Sequence, residues 1–201
     1  AVRKEQLDSA IYATGYVLNI VHDIAAGTYQ DFVLAPGKSI RFQMCGGGGS
    51  GGKTSGNWLA ASSSGQDSVL SVIVPTSTNL VSAKGGAGGE TGYYEYVGGA
   101  AGANGITEVN RAETRKFIIF NSNINSSHTT FALNAGLGAS GAGGVPNSNA
   151  GGAGGRGNYV DGIFYNLFGQ TITVRCYAGT GGPNENGQGA AQNGHCVVFT
   201  Q

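Results

Sequence analysis

Charge is scarce in this chain. Only 11% of its 201 residues are Asp, Glu, Lys or Arg, and the basic and acidic side chains balance at 11 each. A neutral, thinly charged chain carries no electrostatic footprint for nucleic acid or an anionic membrane surface. Its solubility rests on Asn, Ser, Thr, Gln and backbone, a surface suited to sugars or packed fibres. Long apolar runs are missing too: none approaches 18 residues, so there is no signal for a helix that crosses a bilayer. The opening AVRKEQLDSA is too polar for the centre of a signal peptide, and the chain is read as made and folded in a cytoplasm. Cysteine is rare and odd in number: Cys45, Cys176 and Cys196. Each lies in or beside an apolar run, which reads as buried reduced thiols, with a Cys176–Cys196 disulfide as the alternative. No Cys or His pair has zinc-ligand spacing and no calcium loop of alternating Asp is present, so no metal or cofactor is expected.

Glycine is what the chain has in excess, with 38 residues where average usage is about 7%. One tract, QMCGGGGSGGKTSG (43–56), contains Gly47, Gly52, Lys53 and Thr54 at the spacing of a phosphate-binding loop. That loop needs a helix immediately behind it, so that N–H groups and the helix N-terminus face the anion. SGNWLAASSSGQDSVL follows instead, broken by Gly56 and Gly65 and crowded with serine. No apolar strand ending in Asp stands downstream to hold magnesium. The tract is read as architecture.

The rest of the chain has strand patterning. YVLNIVHDI, TYQDFVLA, KSIRFQMC, SVLSVIV, RKFIIFN, TTFALNA, IFYNLF, QTITVRCYA and HCVVFT are short apolar or alternating runs bounded by Gly, Asn, Ser or Pro. They predict an all-β domain of sandwich or barrel type over 15–201. Residues 1–14 place Val2, Leu7 and Ile11 at loose helical spacing, which predicts a short N-terminal helix used for attachment or oligomerisation.

Glycine tracts at 46–52, 85–89, 98–105, 136–144, 151–157, 179–182 and 187–194 are separated by these strands. A flexible linker would be one continuous tract. Ordering glycine backbone costs about 1–2 kcal/mol per residue, so ordered tracts need strong lateral partners. Extended threefold rods of the polyglycine II type, packed side by side, meet that need. Only glycine lets such backbones approach closely enough to exchange hydrogen bonds, the steric rule that collagen uses.

Three segments carry a family resemblance. LAPGKSIRFQMCGGGGSGG, FGQTITVRCYAGTGG and GQGAAQNGHCVVFTQ resemble the opening, the later Gly-Gln-Thr strand and the closing strand of glycine-rich domains at the ends of bacteriophage tail fibres. The resemblance implies a host-recognising adhesin or fibre tip in the virion, with loops that touch bacterial surface protein or polysaccharide. It also implies contacts with other tail-fibre proteins and a homotrimer. Two features depart from the pattern: Met44-Cys45 replaces an aromatic, and residues 106–135 form a long segment of their own, read as a recognition or assembly surface.

Binding rather than catalysis is therefore expected. His195 and Cys196 are neighbours, so on a strand they point to opposite faces and make no nucleophile–base pair. Asp161, Glu90 and Glu95 are the carboxylates set among aromatics, as a capsule-degrading enzyme would need. A structural connector of the virion is the other alternative. The receptor-binding set is Tyr93, Tyr94 and Tyr96 between glycines, Trp58 after the first tract, and Tyr159. The rest of the cluster around Tyr159, namely Phe164, Tyr165 and Phe168, reads as core.

Overall fold

The structure, a computed structural model, describes residues 20–52, 62–91, 101–110, 116–121, 151–183 and 191–200. The N-terminal segment 1–14 with its expected helix, the run 129–135 and the tract 136–144 lie outside them. Ten strands are described: β1 Ile20–Ile24, β2 Tyr29–Leu34, β3 Ser39–Cys45, β4 Ser68–Val74, β5 Thr78–Ala83, β6 Thr107–Val109, β7 Phe117–Asn121, β8 Tyr159–Tyr165, β9 Ile172–Tyr177 and β10 His195–Thr200.

Side-chain alternation explains why these segments are strands. In β9, Ile172, Val174 and Cys176 are buried while Thr173, Arg175 and Tyr177 face outward. In β2, Phe32 and Leu34 point inward, and Tyr29, Asp31 and Val33 point to solvent. Such a period of two places one face of each strand in a core and wets the other. The core between the sheets gathers Ile40, Phe42, Met44, Leu70, Val72, Val160, Phe164, Val174 and Val198. Each such side chain contributes about 1.5–3 kcal/mol by leaving water.

Two antiparallel five-stranded sheets result, in the orders β1-β10-β3-β8-β7 and β2-β9-β4-β5-β6. The chain changes sheets at every step from β1 to β4, stays in the second sheet through β6, returns for β7 and β8, and crosses again for β9 and β10. With the edge strands β6 and β7 set aside, the remaining orders 1-10-3-8 and 2-9-4-5 are the two interleaved Greek keys of a jelly roll. The expected all-β sandwich is the observed one.

The two ends of the sandwich differ in kind. At one end lie tight turns. Pro36 and Gly37 occupy the central positions of a turn closed by Lys38 N–H donating to the Ala35 carbonyl (3.1 Å), and Gly37 has φ 75°, the left-handed value a type II turn requires. Buried Asn166 donates through Nδ2 to the carbonyls of Leu34 and Gln170, both at 2.9 Å, and pins the β8–β9 connection beside that turn. Ile20 and Thr200, paired across β1 and β10, are also at this end. At the opposite end the tight β1–β2 turn 25–28 is joined by the glycine-rich stretches that follow β3, β5 and β9 and precede β4, β6, β8 and β10.

Candidate functional site

The tracts leave the sandwich and run side by side. Segments 46–52, 84–91 and 178–183 run outward from β3, β5 and β9. Segments 62–67, 101–106, 151–158 and 191–194 return to β4, β6, β8 and β10. Backbone hydrogen bonds join them with a three-residue period. Gly46, Gly49 and Gly52 donate to the carbonyls of Asn158, Gly155 and Gly152 at 2.9, 2.9 and 2.8 Å. Gly47 and Ser50 donate to Gln66 and Ser63, and Gly48 donates to Gln192. Gly46, Gly47 and Gly48 therefore present three donors to three neighbours in one turn, the geometry of a threefold extended helix with lateral instead of internal bonds. The same period recurs elsewhere: Gly152, Gly155 and Asn158 donate to Glu90, Ala87 and Lys84.

Close approach makes glycine obligatory at the contact positions. A Cβ on Gly49 would stand 2.0 Å from the Ala87 oxygen, one on Gly52 1.8 Å from the Glu90 oxygen, and one on Gly154 1.9 Å from the Gly49 oxygen. Several larger residues in and beside the rods bond through a side chain. Ser50 donates through Oγ to the Pro183 carbonyl at 2.6 Å. Ser68 joins stack to sandwich, donating to the Cys45 carbonyl (2.7 Å) and accepting from Gly179 N–H (2.9 Å). Lys84 is held by Asp67 and Glu108 at 2.9 and 3.0 Å, and its ammonium is stabilised first by the Asp67 hydrogen bond. The polyglycine packing expected from the sequence is thus present for the described tracts.

This geometry removes the nucleotide reading of 47–54. The N–H groups of Gly47, Gly48, Gly49, Ser50 and Gly52 all donate to neighbouring rods, so these donors are not turned toward a phosphate. Lys53 and Thr54 lie outside the described residues.

Rod directions also decide where the binding candidates are tethered. Trp58 lies in 53–61, and Tyr93, Tyr94 and Tyr96 lie in 92–100, all outside the described residues. Their described flanks meet at the far end of the stack. Gly52 N–H donates to Gly152, Gly152 N–H to Glu90, and Ser62 N–H to Gly89, at 2.8, 2.8 and 2.9 Å. Pro183, beside the segment 184–190, is bound to Ser50. Five points where the chain leaves or re-enters the stack thus share one hydrogen-bonded neighbourhood, opposite Ile20 and Thr200.

Tyr159 requires a correction. It is 5% exposed, on the outer face of the first sheet, in a cluster with Cys45, Ile163, Val197 and Phe199. Burial, then the neighbouring Asp161 charge, raises its phenol above the ordinary range. It is a packing residue rather than a surface contact. The missed signal was strand register: in YVDGIFY, Val160 and Phe164 face the inter-sheet core, which sends Tyr159 to the other face. Phe164 is fully buried, as expected. From segment 106–135 the structure describes β6 and β7, which extend both sheets, with Ile118 and Phe120 on β7 about half exposed.

The described groups considered for catalysis have structural partners, and Glu95 lies outside the described residues. Arg41 Nη2 and Nε donate to the two oxygens of buried Asp161 at 2.9 and 3.3 Å, and Gln43 Nε2 adds a third bond at 3.2 Å. Phe120 and Phe199 flank the guanidinium at 5.7 and 5.5 Å. His195 Nε2 lies 2.8 Å from Asp23 Oδ1. His22 shares hydrogen bonds with Gln30 and Thr200 beside a cleft of about 540 Å³ between β1 and β2, away from the stack. Burial, then Cys196, pushes the Cys45 thiol up to about 12, so it is a poor nucleophile at neutral pH. Among the described residues no group of three His, Cys, Asp or Glu is placed to hold a metal ion. Comparison with protein-family models, curated proteins and solved structures finds no match to this chain.

Proposed function

We propose that this chain is a bacteriophage tail-fibre tip that binds the bacterial surface through segments displayed at the far end of the glycine stack. The observation that carries the reading is the convergence of Gly52, Ser62, Glu90, Gly152 and Pro183 on one neighbourhood, opposite the end where Ile20 and Thr200 lie. A rigid stack with its chain exits gathered at one tip holds recognition loops at low entropic cost. Attachment to the rest of a fibre then falls at the other end, and the three segments that resemble fibre-tip domains are those that lead into or out of the stack. Binding is reversible and the partner is surface protein or polysaccharide. By the resemblance, the fibre carries three copies.

Labelled full-length chain added to a panel of bacterial strains tests this. Binding to a subset of strains is expected, together with blocked phage adsorption on them. The triple change Tyr93→Ala, Tyr94→Ala, Tyr96→Ala is expected to abolish binding with the unfolding midpoint unchanged. Binding that survives the triple change moves the site elsewhere. The rival reading, a virion connector, is favoured by the exposed Ile118 and Phe120 on the edge strand β7. A connector neither coats cells nor blocks adsorption, and loses virion incorporation when Phe120 becomes Asp.

A further inference from the structure

Cys176 and Cys196 are both fully buried in the inter-sheet core, one on β9 and one on β10, so they belong to opposite sheets. These two strands converge as they reach the stack. Gly194 N–H donates to the Gly179 carbonyl at 3.0 Å, and two residues further along the Cys196 thiol donates to the carbonyl of Tyr177, the neighbour of Cys176, at 3.2 Å. Continuing the same antiparallel approach brings the buried Cys176 thiol beside Cys196, whose titration is raised by it as a neighbour. Cys45 is different. Although it precedes the stack on β3, it packs on the outer face of the first sheet with Tyr159 and Val197. The core therefore holds one thiol pair, and the third cysteine stands on the other side of a sheet.

We infer that Cys176 and Cys196 form a redox-controlled disulfide that staples the two sheets together at the base of the glycine stack. With peroxide as oxidant, one sulfur displaces hydroxide from the O–O bond to give a sulfenic acid. The second sulfur then displaces water from it. One S–S bond forms, one O–O bond breaks, and the two thiol protons end in two water molecules. The closed loop contains the rods 179–183 and 191–194, so the bond ties both feet of the segment 184–190 to the sandwich. Burial, reinforced by Cys176, raises Cys196 well above its ordinary range, so oxidation is slow at neutral pH and faster in mild alkali. The staple is independent of what the tip binds.

The test uses the full-length chain, reduced and then treated with hydrogen peroxide. Expected are a loss of two hydrogens in intact mass and a fall in titratable thiols under denaturation from three to one. Peptide mapping should join the Cys176 and Cys196 peptides and leave Cys45 alkylated, and the melting midpoint should rise by roughly 5–10 °C. Cys45→Ser should oxidise in the same way. Three thiols surviving peroxide, a bond through Cys45, oxygen added without loss of hydrogen, or an unchanged or lowered midpoint would each overturn the inference.

Discussion

Gly49 and Ala87 are so close that a methyl group on Gly49 would lie 2.0 Å from the Ala87 carbonyl oxygen. That oxygen already accepts a hydrogen bond from Gly155, whose own carbonyl accepts from Gly49. Three rods thus meet at one point, and a methyl group there must push backbone apart. Gly49→Ala is expected to cost about 2–4 kcal/mol in urea unfolding. Gly37→Ala is the control: nothing lies within 4 Å of its Cβ position, and only its positive φ is strained, for about 1–2 kcal/mol. Equal costs for the two changes would contradict the stack.

Asp161 accepts hydrogen bonds from Gln43 and from Arg41, whose guanidinium lies against Phe120 and Phe199. Removing one member of a buried ion pair leaves the other uncompensated. Arg41 is about a third exposed, which lowers the penalty, so Asp161→Ala is expected to cost about 2–3 kcal/mol. Asp161→Ala unfolding at the wild-type midpoint would show that the pair contributes nothing.

Alkaline pH should destabilise the reduced protein before acid does. Burial raises Cys45 from 9.0 to about 12 in the folded chain, and raises Cys196 and Tyr159 as well. A raised folded value means that the stabilisation is complete below the unfolded value and is lost as pH rises toward the folded one. From about pH 9 upward, each such thiol removes up to about 1.4 kcal/mol per pH unit. Unfolding midpoints measured under reductant from pH 7 to 11 should fall above 9, and Cys45→Ala should fall less steeply. Asp31 is lowered first by its Arg175 hydrogen bond, so its contribution is lost only as pH drops below 3.8, and exposure keeps it small.

Magnesium and ATP at millimolar concentration should leave the melting midpoint unmoved. The donors of Gly47, Gly48, Gly49, Ser50 and Gly52 are committed to Gln66, Gln192, Gly155, Ser63 and Gly152. A rise that grows with nucleotide concentration would restore the phosphate-binding reading.

Strand patterning was the most legible feature of the sequence. KSIRFQMC, SVLSVIV, QTITVRCYA and HCVVFT became β3, β4, β9 and β10 because alternation of Ile, Val and Phe with polar residues maps directly onto a half-buried sheet. β5 and β6 were not legible. TNLVSA carries few β-branched residues and has a bulge beside β4 that breaks its alternation, and TEV is too short for any period. β8 was read too late, from Ile163, because Asp161 and Gly162 interrupt its apolar run. Asp161 is tolerated there through its partner Arg41 on the adjoining strand, a contact 120 residues away that no local pattern discloses. The same misreading left Tyr159 among the exposed aromatics. The rods were legible through glycine's steric uniqueness, whereas their pairing depends on Greek-key connections that bring the described tracts to one end.

Hydrogen exchange resolved by residue tests the stack most directly. The amides of Gly46, Gly49, Gly52, Gly86, Gly89, Gly152 and Gly155 each donate to a neighbouring rod. The expected result is that they exchange as slowly as those of β3 and β9, orders of magnitude below unstructured glycine. Exchange of these amides within seconds, while the strands stay protected, would contradict a hydrogen-bonded framework.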